Sequence, residues 1–243
     1  MNSLINVSKE QGDRAVKTTF YITYVFLLTT ATITFIESMR TNVSRVRHIL
    51  NLETCISVVA AYFYGVFMKK LDKENIDYKE INTVRYTDWA ITTPIMLLVL
   101  CLAFLYNLTP KKGGNPAKYI SSGFSFFTFL IILAMNFVML AFGYVGETGM
   151  VNKTTAMIGG FIGFFALYGF IYKKFLSGKK NRDNQMLYWA FFLFWIGYGA
   201  AYMADDRTKN AVYNVLDLFA KCFVGIFFWA YFTGVFSLKK TSV

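Results

Sequence analysis

The sequence predicts an all-α membrane protein that folds as one bundle of seven transmembrane helices. Hydrophobic residues make up 56% of the 243-residue chain and charged residues only 16%, whereas soluble domains carry about 25% charged residues. The hydrophobic residues fall in seven stretches, each long enough to cross a bilayer, which takes about 20 helical residues. Only short connections separate the stretches, so we expect a single seven-helix domain over residues 1–243.

Each predicted helix is bounded by turn-forming and charged residues. The polar N-terminal segment MNSLINVSKEQGDRAVK lacks the basic-then-apolar order of a cleaved signal peptide, so the first stretch is predicted to be a helix of the mature chain. The segments NLTPKKGGNPAK and SGKKNRD have the composition of connections between helices. The predicted helices are, in chain order, 18–39, 46–68, 81–105, 119–143, 150–174, 185–204 and 208–238.

The basic residues of the connections predict that the N-terminus lies outside. Connections on one side of the membrane collect 13 basic residues and a single acid, Asp183, while those on the other side mix 10 basic residues with nine acids. Cytoplasmic connections carry the excess of lysine and arginine, so the strongly basic side is predicted to be cytoplasmic. The basic residues of that side are Arg40, Arg45, Arg47, Lys111, Lys112, Lys118, Lys173, Lys174, Lys179, Lys180, Arg182, Lys239 and Lys240. They face anionic headgroups, so the net charge of +11 does not call for a nucleic-acid partner.

Apart from the charged residues that are counted with the connections, six charged residues lie inside the predicted helices. Each costs about 3 kcal/mol when unpaired at the centre of a bilayer, so such residues usually face the bundle interior and serve function. Asp88 lies about one turn deeper than Arg85, and Asp217 precedes Lys221 by four residues on the same helix face. Both carboxylates can therefore meet the lysine ammonium from the outer side, although a purely structural ion-pair cluster has the same spacing. The six residues are Glu37, Glu53, Arg85, Asp88, Asp217 and Lys221.

The segments that carry these charges resemble the signature segments of a known family. RYTDWAITTP in the third helix and DLFAK in the seventh are similar to those of the microbial (type 1) rhodopsins. The resemblance implies that Lys221 carries all-trans retinal as a protonated Schiff base. It further implies Asp88 as counterion and proton acceptor, Asp217 as second counterion and Arg85 as a gate toward the outside.

The same resemblance predicts which side chains surround retinal. WIGYGAAY in the sixth helix is similar to the family's aromatic pocket pattern, although an offset alignment that uses Tyr188 with Trp195 is an alternative. Met96 stands where the proteorhodopsins carry a colour-tuning residue, and an apolar side chain there favours green absorption. The residues predicted to contact retinal are Trp89, Thr92, Thr93, Met96, Trp195, Tyr198 and Tyr202.

Transport is predicted from three positions of the third helix, which read Asp88, Thr92 and Val99. Outward pumps of the family commonly have a carboxylate where Val99 stands, and valine cannot hold a proton. Glu53 is a candidate proton relay or pore residue in its place, whereas Glu37 is interpreted as a helix-end residue. The triplet resembles the rhodopsins of large algal viruses, which implies either an outward proton pump or a light-gated cation channel. The intact set of Asp88, Arg85 and Asp217 favours the outward pump, and the missing donor leaves the channel or a slow-cycling sensor as alternatives.

The remaining expectations concern partners and the outer connections. We expect a non-enzymatic protein in a host-cell membrane, whose partners are the lipid bilayer and protons or small cations. Gly159, Gly160 and Gly163 permit close helix packing, and a homo-oligomer is predicted. Asp205 and Asp206 are candidates for the proton-release group, and no metal site is predicted. A transporter that does not respond to light is the remaining functional alternative.

Overall fold

Seven helices form the described part of this chain in a computed structural model, which describes residues 2–73, 76–108 and 125–234, with side chains from residue 10 onward. Successive helices run in opposite directions. With seven helices, the start of the first and the end of the last therefore lie on opposite sides of the bundle. The helices are α1 (Asn2–Arg40), α2 (Ser44–Leu71), α3 (Tyr78–Leu108), α4 (Phe126–Glu147), α5 (Lys153–Leu176), α6 (Arg182–Ala201) and α7 (Asp206–Phe232).

Six of these helices, all except α6, are long and apolar enough to cross a membrane. The exception, α6, has 20 residues and begins with the polar sequence RDNQ, which lowers its mean hydropathy. It nevertheless lies among the others and contributes the buried side chains of Leu187, Phe191 and Trp195 to the bundle. The chain is an integral, multi-pass membrane protein.

The observed helices extend beyond the predicted apolar stretches. The largest difference is in α1, because the polar segment before residue 18 is also helical. Its Asp13 carboxylate accepts a hydrogen bond of 2.7 Å from the Tyr78 hydroxyl and pairs with Arg207 Nε at 3.0 Å. These contacts hold the polar turns of α1 against α3 and α7, which a hydropathy pattern does not predict. Predicted helix residues 119–124 and 235–238, and Lys111, Lys112, Lys118, Lys239 and Lys240, lie outside the described residues.

The glycines of α5 serve packing within the chain. A Cβ atom on Gly159 would lie 2.4 Å from Phe142 Cδ1, and one on Gly163 would lie 3.1 Å from Met139 Cα. Both glycines therefore let α4 and α5 approach closely.

One turn of α7 departs from α-helical geometry. Residues Leu218–Phe223 form a π-helical turn, in which backbone hydrogen bonds span five residues instead of four, and such turns are frequent at functional sites. Lys221 lies within this turn. A similar turn, Tyr172–Leu176, ends α5.

The buried polar side chains of α3 and α7 are concentrated in one half of the bundle. In the half nearer the N-terminus, the α3 and α7 side chains of Asn82, Arg85, Asn210 and Asn214 are all buried. In the opposite half, α3 is surrounded by a hydrophobic cluster. Val99, Leu100, Phe104, Phe191 and Phe228 belong to it and are at most 2% exposed.

Candidate functional site

Lys221 is the centre of a buried ionic cluster between α3 and α7. Its Nζ atom lies 2.7 Å from Asp88 Oδ2 and 3.3 Å from Asp217 Oδ1. All three side chains are nearly inaccessible, with exposed fractions of 2% or less. Because an unpaired buried charge is costly, the ammonium and the two carboxylates stabilise one another.

The two aspartates differ in how many other donors hold them. Asp217 accepts hydrogen bonds from Tyr198 at 2.7 Å on Oδ1 and from Tyr64 at 2.8 Å on Oδ2, and Arg85 Nη1 lies 3.5 Å from the second oxygen. The Oδ1 atom of Asp88, in contrast, has no hydrogen-bond partner among the described residues. One carboxylate is therefore fixed by several donors, and the other keeps an oxygen free.

Arg85 lies on the side of the cluster that faces the N-terminal end of the bundle. Its guanidinium donates to Asn210 Oδ1 at 3.1 Å from both Nε and Nη2, and Nη2 also donates to Asn214 Oδ1. The rings of Phe67 and Phe20 lie 4.8 and 5.0 Å from its Cζ atom, close enough for cation–π attraction. Arg85 is 0% exposed, so it is a buried fixed charge between Asp217 and the N-terminal side.

The Lys221 side chain lines an apolar cavity of about 120 Å³. Lys221 and Asp217 are its only charged lining residues among those described, which suits an apolar molecule with one polar, reactive end. Two glycines make room for neighbouring rings: a Cβ atom on Gly199 would lie 2.7 Å from Phe161 Cζ, and one on Gly143 would lie 2.5 Å from the Tyr86 hydroxyl. The predicted contact residues that line the cavity are Trp89, Thr93, Met96, Trp195, Tyr198 and Tyr202.

Two candidate retinal contacts, Thr92 and Tyr188, do not line the cavity. Thr92 is fully buried, and its hydroxyl donates to the backbone carbonyl of Asp88 at 2.9 Å. Tyr188, from the alternative alignment of α6, donates to the carbonyl of Tyr168 at 3.1 Å. The alignment that uses Trp195, Tyr198 and Tyr202 is therefore the one that agrees with the cavity.

Glu53 lies in the opposite half of the bundle, where α2 meets α7. It is 2% exposed, and a Cβ atom on Gly225 would lie 3.1 Å from its Oε2 atom. No salt bridge or hydrogen bond joins Glu53 to another residue of the described ranges. Glu37, in contrast, pairs with Arg40 at 3.8 Å at the end of α1.

The two acids at the start of α7 have different environments. Asp205 caps the helix, accepting hydrogen bonds from the backbone N–H groups of Arg207 and Thr208. Hydrogen bonds from Thr208 hold the pKa of the Asp205 carboxyl below its usual value. Asp206 lies 3.0 Å from Lys209 Nζ and accepts a hydrogen bond from Asn82 at 2.9 Å.

Sequence reasoning missed several polar residues around the cluster. Asn210, Tyr213 and Asn214 precede Asp217 by seven, four and three residues, and this helical spacing could have placed them on its face. No comparable signal marked Tyr64 on α2. The ion pair between Lys209 and Glu147, at 2.5 Å, joins residues assigned to connections or helix ends.

Comparison with known proteins gives consistent matches over nearly the whole chain. The family model described as bacteriorhodopsin-like protein matches residues 14–235. The chain is 25% identical over 232 residues to the green-light absorbing proteorhodopsin of Gamma-proteobacterium EBAC31A08, covering 86% of this chain and 83% of the relative.

Solved structures agree with these matches. The crystal structure of viral rhodopsin OLPVRII is 50% identical with a TM-score of 0.82, covering 91% of this chain and 99% of that one. Blue light-absorbing proteorhodopsin from Med12 shares the fold, with a TM-score of 0.71 at 21% identity over 90% of this chain and 98% of that one.

Proposed function

Since the chain belongs to the bacteriorhodopsin-like family and is a microbial rhodopsin close to the viral rhodopsins, we propose that it is a light-driven outward proton pump with all-trans retinal bound to Lys221 as a protonated Schiff base. The observation that carries this proposal is the position of Lys221, which lines an apolar cavity and whose Nζ atom lies 2.7 Å from Asp88 Oδ2. Trp89, Trp195, Tyr198 and Tyr202 would hold the polyene. When bound, retinal supplies light absorption and an isomerisation that reorients the imine N–H.

The geometry favours Asp88 over Asp217 as the proton acceptor. Lys221 Nζ lies where the imine nitrogen would be, and a proton given up by that nitrogen would need a nearby carboxylate to accept it. Asp88 has an oxygen with no hydrogen-bond partner among the described residues, whereas both Asp217 oxygens already accept hydrogen bonds from tyrosines. Hydrogen bonds to a carboxylate favour its charged form, so Asp217 remains the anion and Asp88 takes the proton.

The division of the bundle into two halves supports outward transport. Arg85, Asn210 and Asn214 provide polar surface between the cluster and the N-terminal side, which the basic residues of the connections predict to be extracellular. On the other side, Val99 and Phe104 lie in a hydrophobic cluster. A proton on Asp88 therefore has polar surroundings toward the outside and apolar surroundings toward the inside.

Illumination of cells that contain the protein tests the transport proposal. We expect external acidification in the light that an uncoupler abolishes. Under voltage clamp, a passive current that reverses with the cation gradient would instead support the light-gated channel, and a cycle of seconds without current would support the sensor. A chain with no visible absorption after addition of retinal would contradict the photoreceptor proposal itself.

The channel and sensor alternatives rest on Val99, since the apolar half lacks the usual carboxylate. We propose that Glu53 takes that role and returns a proton to the imine, because it is buried without an ionic partner in the described part of the chain. Glu53→Gln is then expected to slow the recovery of the dark absorption after a flash by about 10²–10⁴-fold, the usual contribution of a positioned proton donor. Absorbance changes after a flash measure the rate of this recovery.

Glu37→Gln is the matched control, because Glu37 pairs with Arg40 at the end of α1 and recovery should not change. If Glu53→Gln recovers as fast as the parent protein, Glu53 is not the donor and the slow-cycling alternatives gain support.

The colour and cellular setting complete the proposal. Met96 lines the cavity, and its apolar side chain, together with the similarity to a green-light absorbing proteorhodopsin, supports green absorption. We further propose residence in a host-cell membrane, homo-oligomerisation, and a role in light-driven transport without enzymatic turnover.

A further inference from the structure

Lys209, near the start of α7, lies between two carboxylates at the N-terminal end of the bundle. Its Nζ atom is 2.5 Å from Glu147 Oε1 on α4 and 3.0 Å from Asp206 Oδ1. Lys209 is 0% exposed and Glu147 2% exposed, whereas the Asp206 side chain is 38% exposed. The cluster, hereafter the Lys209 triad (Glu147, Asp206 and Lys209), therefore has two members inside the protein and one at the surface.

Stability alone is a weak reason for such a cluster. Removing an ammonium and a carboxylate from water costs several kcal/mol per ion, and a buried ion pair is often no more stable than apolar residues of similar volume. An apolar pair on α4 and α7 would hold the two helices together equally well. The buried charge therefore points to a functional role for the lysine.

A continuous set of hydrogen bonds connects the triad to Arg85. Asp206 Oδ1 accepts from Asn82 Nδ2 at 2.9 Å, and Asn82 Oδ1 accepts from Asn210 Nδ2 at 2.8 Å. Asn210 Oδ1 in turn accepts from Arg85 at 3.1 Å. These residues form a polar seam between α3 and α7, with Asp206 at its outer end and the Asp217–Arg85 pair at its inner end.

The position of the Lys209 ammonium is one that a small metal cation could take. Two carboxylates converge on it, and oxygen ligands with negative charge are those that hard cations prefer. Without the lysine, Glu147 would have no ion-pair partner among the described residues, and Asp206 would keep only the more distant Lys153, at 4.0 Å. In channels, the charged side chains that line the pore decide which ions enter. Acidic rings admit cations, and fixed positive charges exclude them.

We propose that Lys209 is a tethered cation that occupies this two-carboxylate position and keeps external metal cations out of the seam leading to Arg85. It is then a specificity-determining residue that reserves the outer pathway for protons. This role rests on the proposed outward proton transport, in which Na⁺ entering from outside would compete at the carboxylates along the exit.

The substitution Lys209→Met tests the proposal, because methionine is of similar length and leaves both carboxylates in place. Its thermal midpoint, measured as loss of the visible band on heating, is expected to rise with NaCl by about 3–5 °C for each tenfold increase above the dissociation constant. Choline chloride at equal ionic strength should have no such effect. Light-driven external acidification by this variant should fall in Na⁺ relative to choline.

Two controls separate cation binding from general electrostatics. Lys209→Arg keeps the positive charge, and Lys153→Met removes a cation that is 40% exposed and 4.0 Å from the same Asp206 oxygen. The thermal midpoints of both control variants should be the same in Na⁺ and in choline, and so should the midpoint of the parent protein. A purely structural lysine would lower the midpoint in both salts equally.

The outcomes distinguish this inference from the transport proposal. If Lys209→Met keeps its visible band and treats Na⁺ and choline alike, the inference is wrong, while acidification by the parent protein leaves the pump intact. If the parent protein does not acidify the medium, the pump fails, and the salt dependence of the midpoint still decides the role of Lys209. If Lys209→Met binds retinal only in concentrated NaCl, the inference is supported; a band in neither salt overturns it.

Discussion

Lys221→Ala is expected to abolish the visible absorption band completely. Alanine has no amine to form the imine, and without a protonated imine the positive charge that shifts polyene absorption into the visible is lost. The substitution also leaves Asp88 and Asp217 without the ammonium that lies 2.7 and 3.3 Å away. Breaking such a buried pair costs about 3–5 kcal/mol, so thermal unfolding at a lower temperature should accompany the loss of colour.

A matched control and a rescue separate chromophore attachment from misfolding. Lys209→Met removes the other fully buried lysine of α7 and should keep a visible band when assayed in NaCl. Addition of a preformed imine of retinal with a short alkylamine to Lys221→Ala should restore a visible band, because the cavity then receives the missing nitrogen. A full visible band in Lys221→Ala with retinal alone would contradict attachment at this residue.

Much of the fold follows from hydrophobic length. Seven apolar stretches predicted the seven helices, and the predicted bundle and family are both confirmed. The segments with Arg85, Asp88 and Lys221 were recognisable because ionised residues are rare in apolar helices. Their spacing placed them on facing helix surfaces, and the structure brings the three residues into one cluster.

The rest depends on tertiary contacts that no local pattern contains. In the sequence, Tyr64 looks like an ordinary aromatic residue of the core, yet its hydroxyl donates a hydrogen bond to Asp217. Glu147 ends α4 and Lys209 lies near the start of α7, 62 residues apart in sequence, and their pairing requires these two helix ends to meet in the folded bundle. The π-helical turn around Lys221 is likewise invisible to a periodicity of 3.6 residues. The polar start of α1 is helical because Asp13 has partners on α3 and α7.

The two halves of the bundle separate what light capture requires from what net transport requires. Light capture needs only Lys221, its carboxylates and an apolar cavity, all of which lie together in space. Net transport also needs a proton to arrive from the other half, where Val99 is surrounded by hydrophobic side chains. Glu53 is the buried acid among the described residues of that half. Its substitution therefore distinguishes a pump that also takes up a proton from the inner side from a protein that only releases a proton outward.

Asp88→Asn is expected to abolish outward proton transport while leaving retinal attached. An amide cannot take up the imine proton, and loss of a positioned acid–base group lowers rates by about 10²–10⁴-fold; light-induced acidification should fall by at least about 100-fold. The visible band should move to longer wavelength, because the negative charge 2.7 Å from the nitrogen no longer holds the positive charge there. Asp217→Asn is the comparison: it shifts the band but keeps measurable transport, since Asp88 is still present. If Asp88→Asn acidifies the medium normally and Asp217→Asn does not, the acceptor is Asp217, and the oxygen of Asp88 that lacks a partner among the described residues has another role.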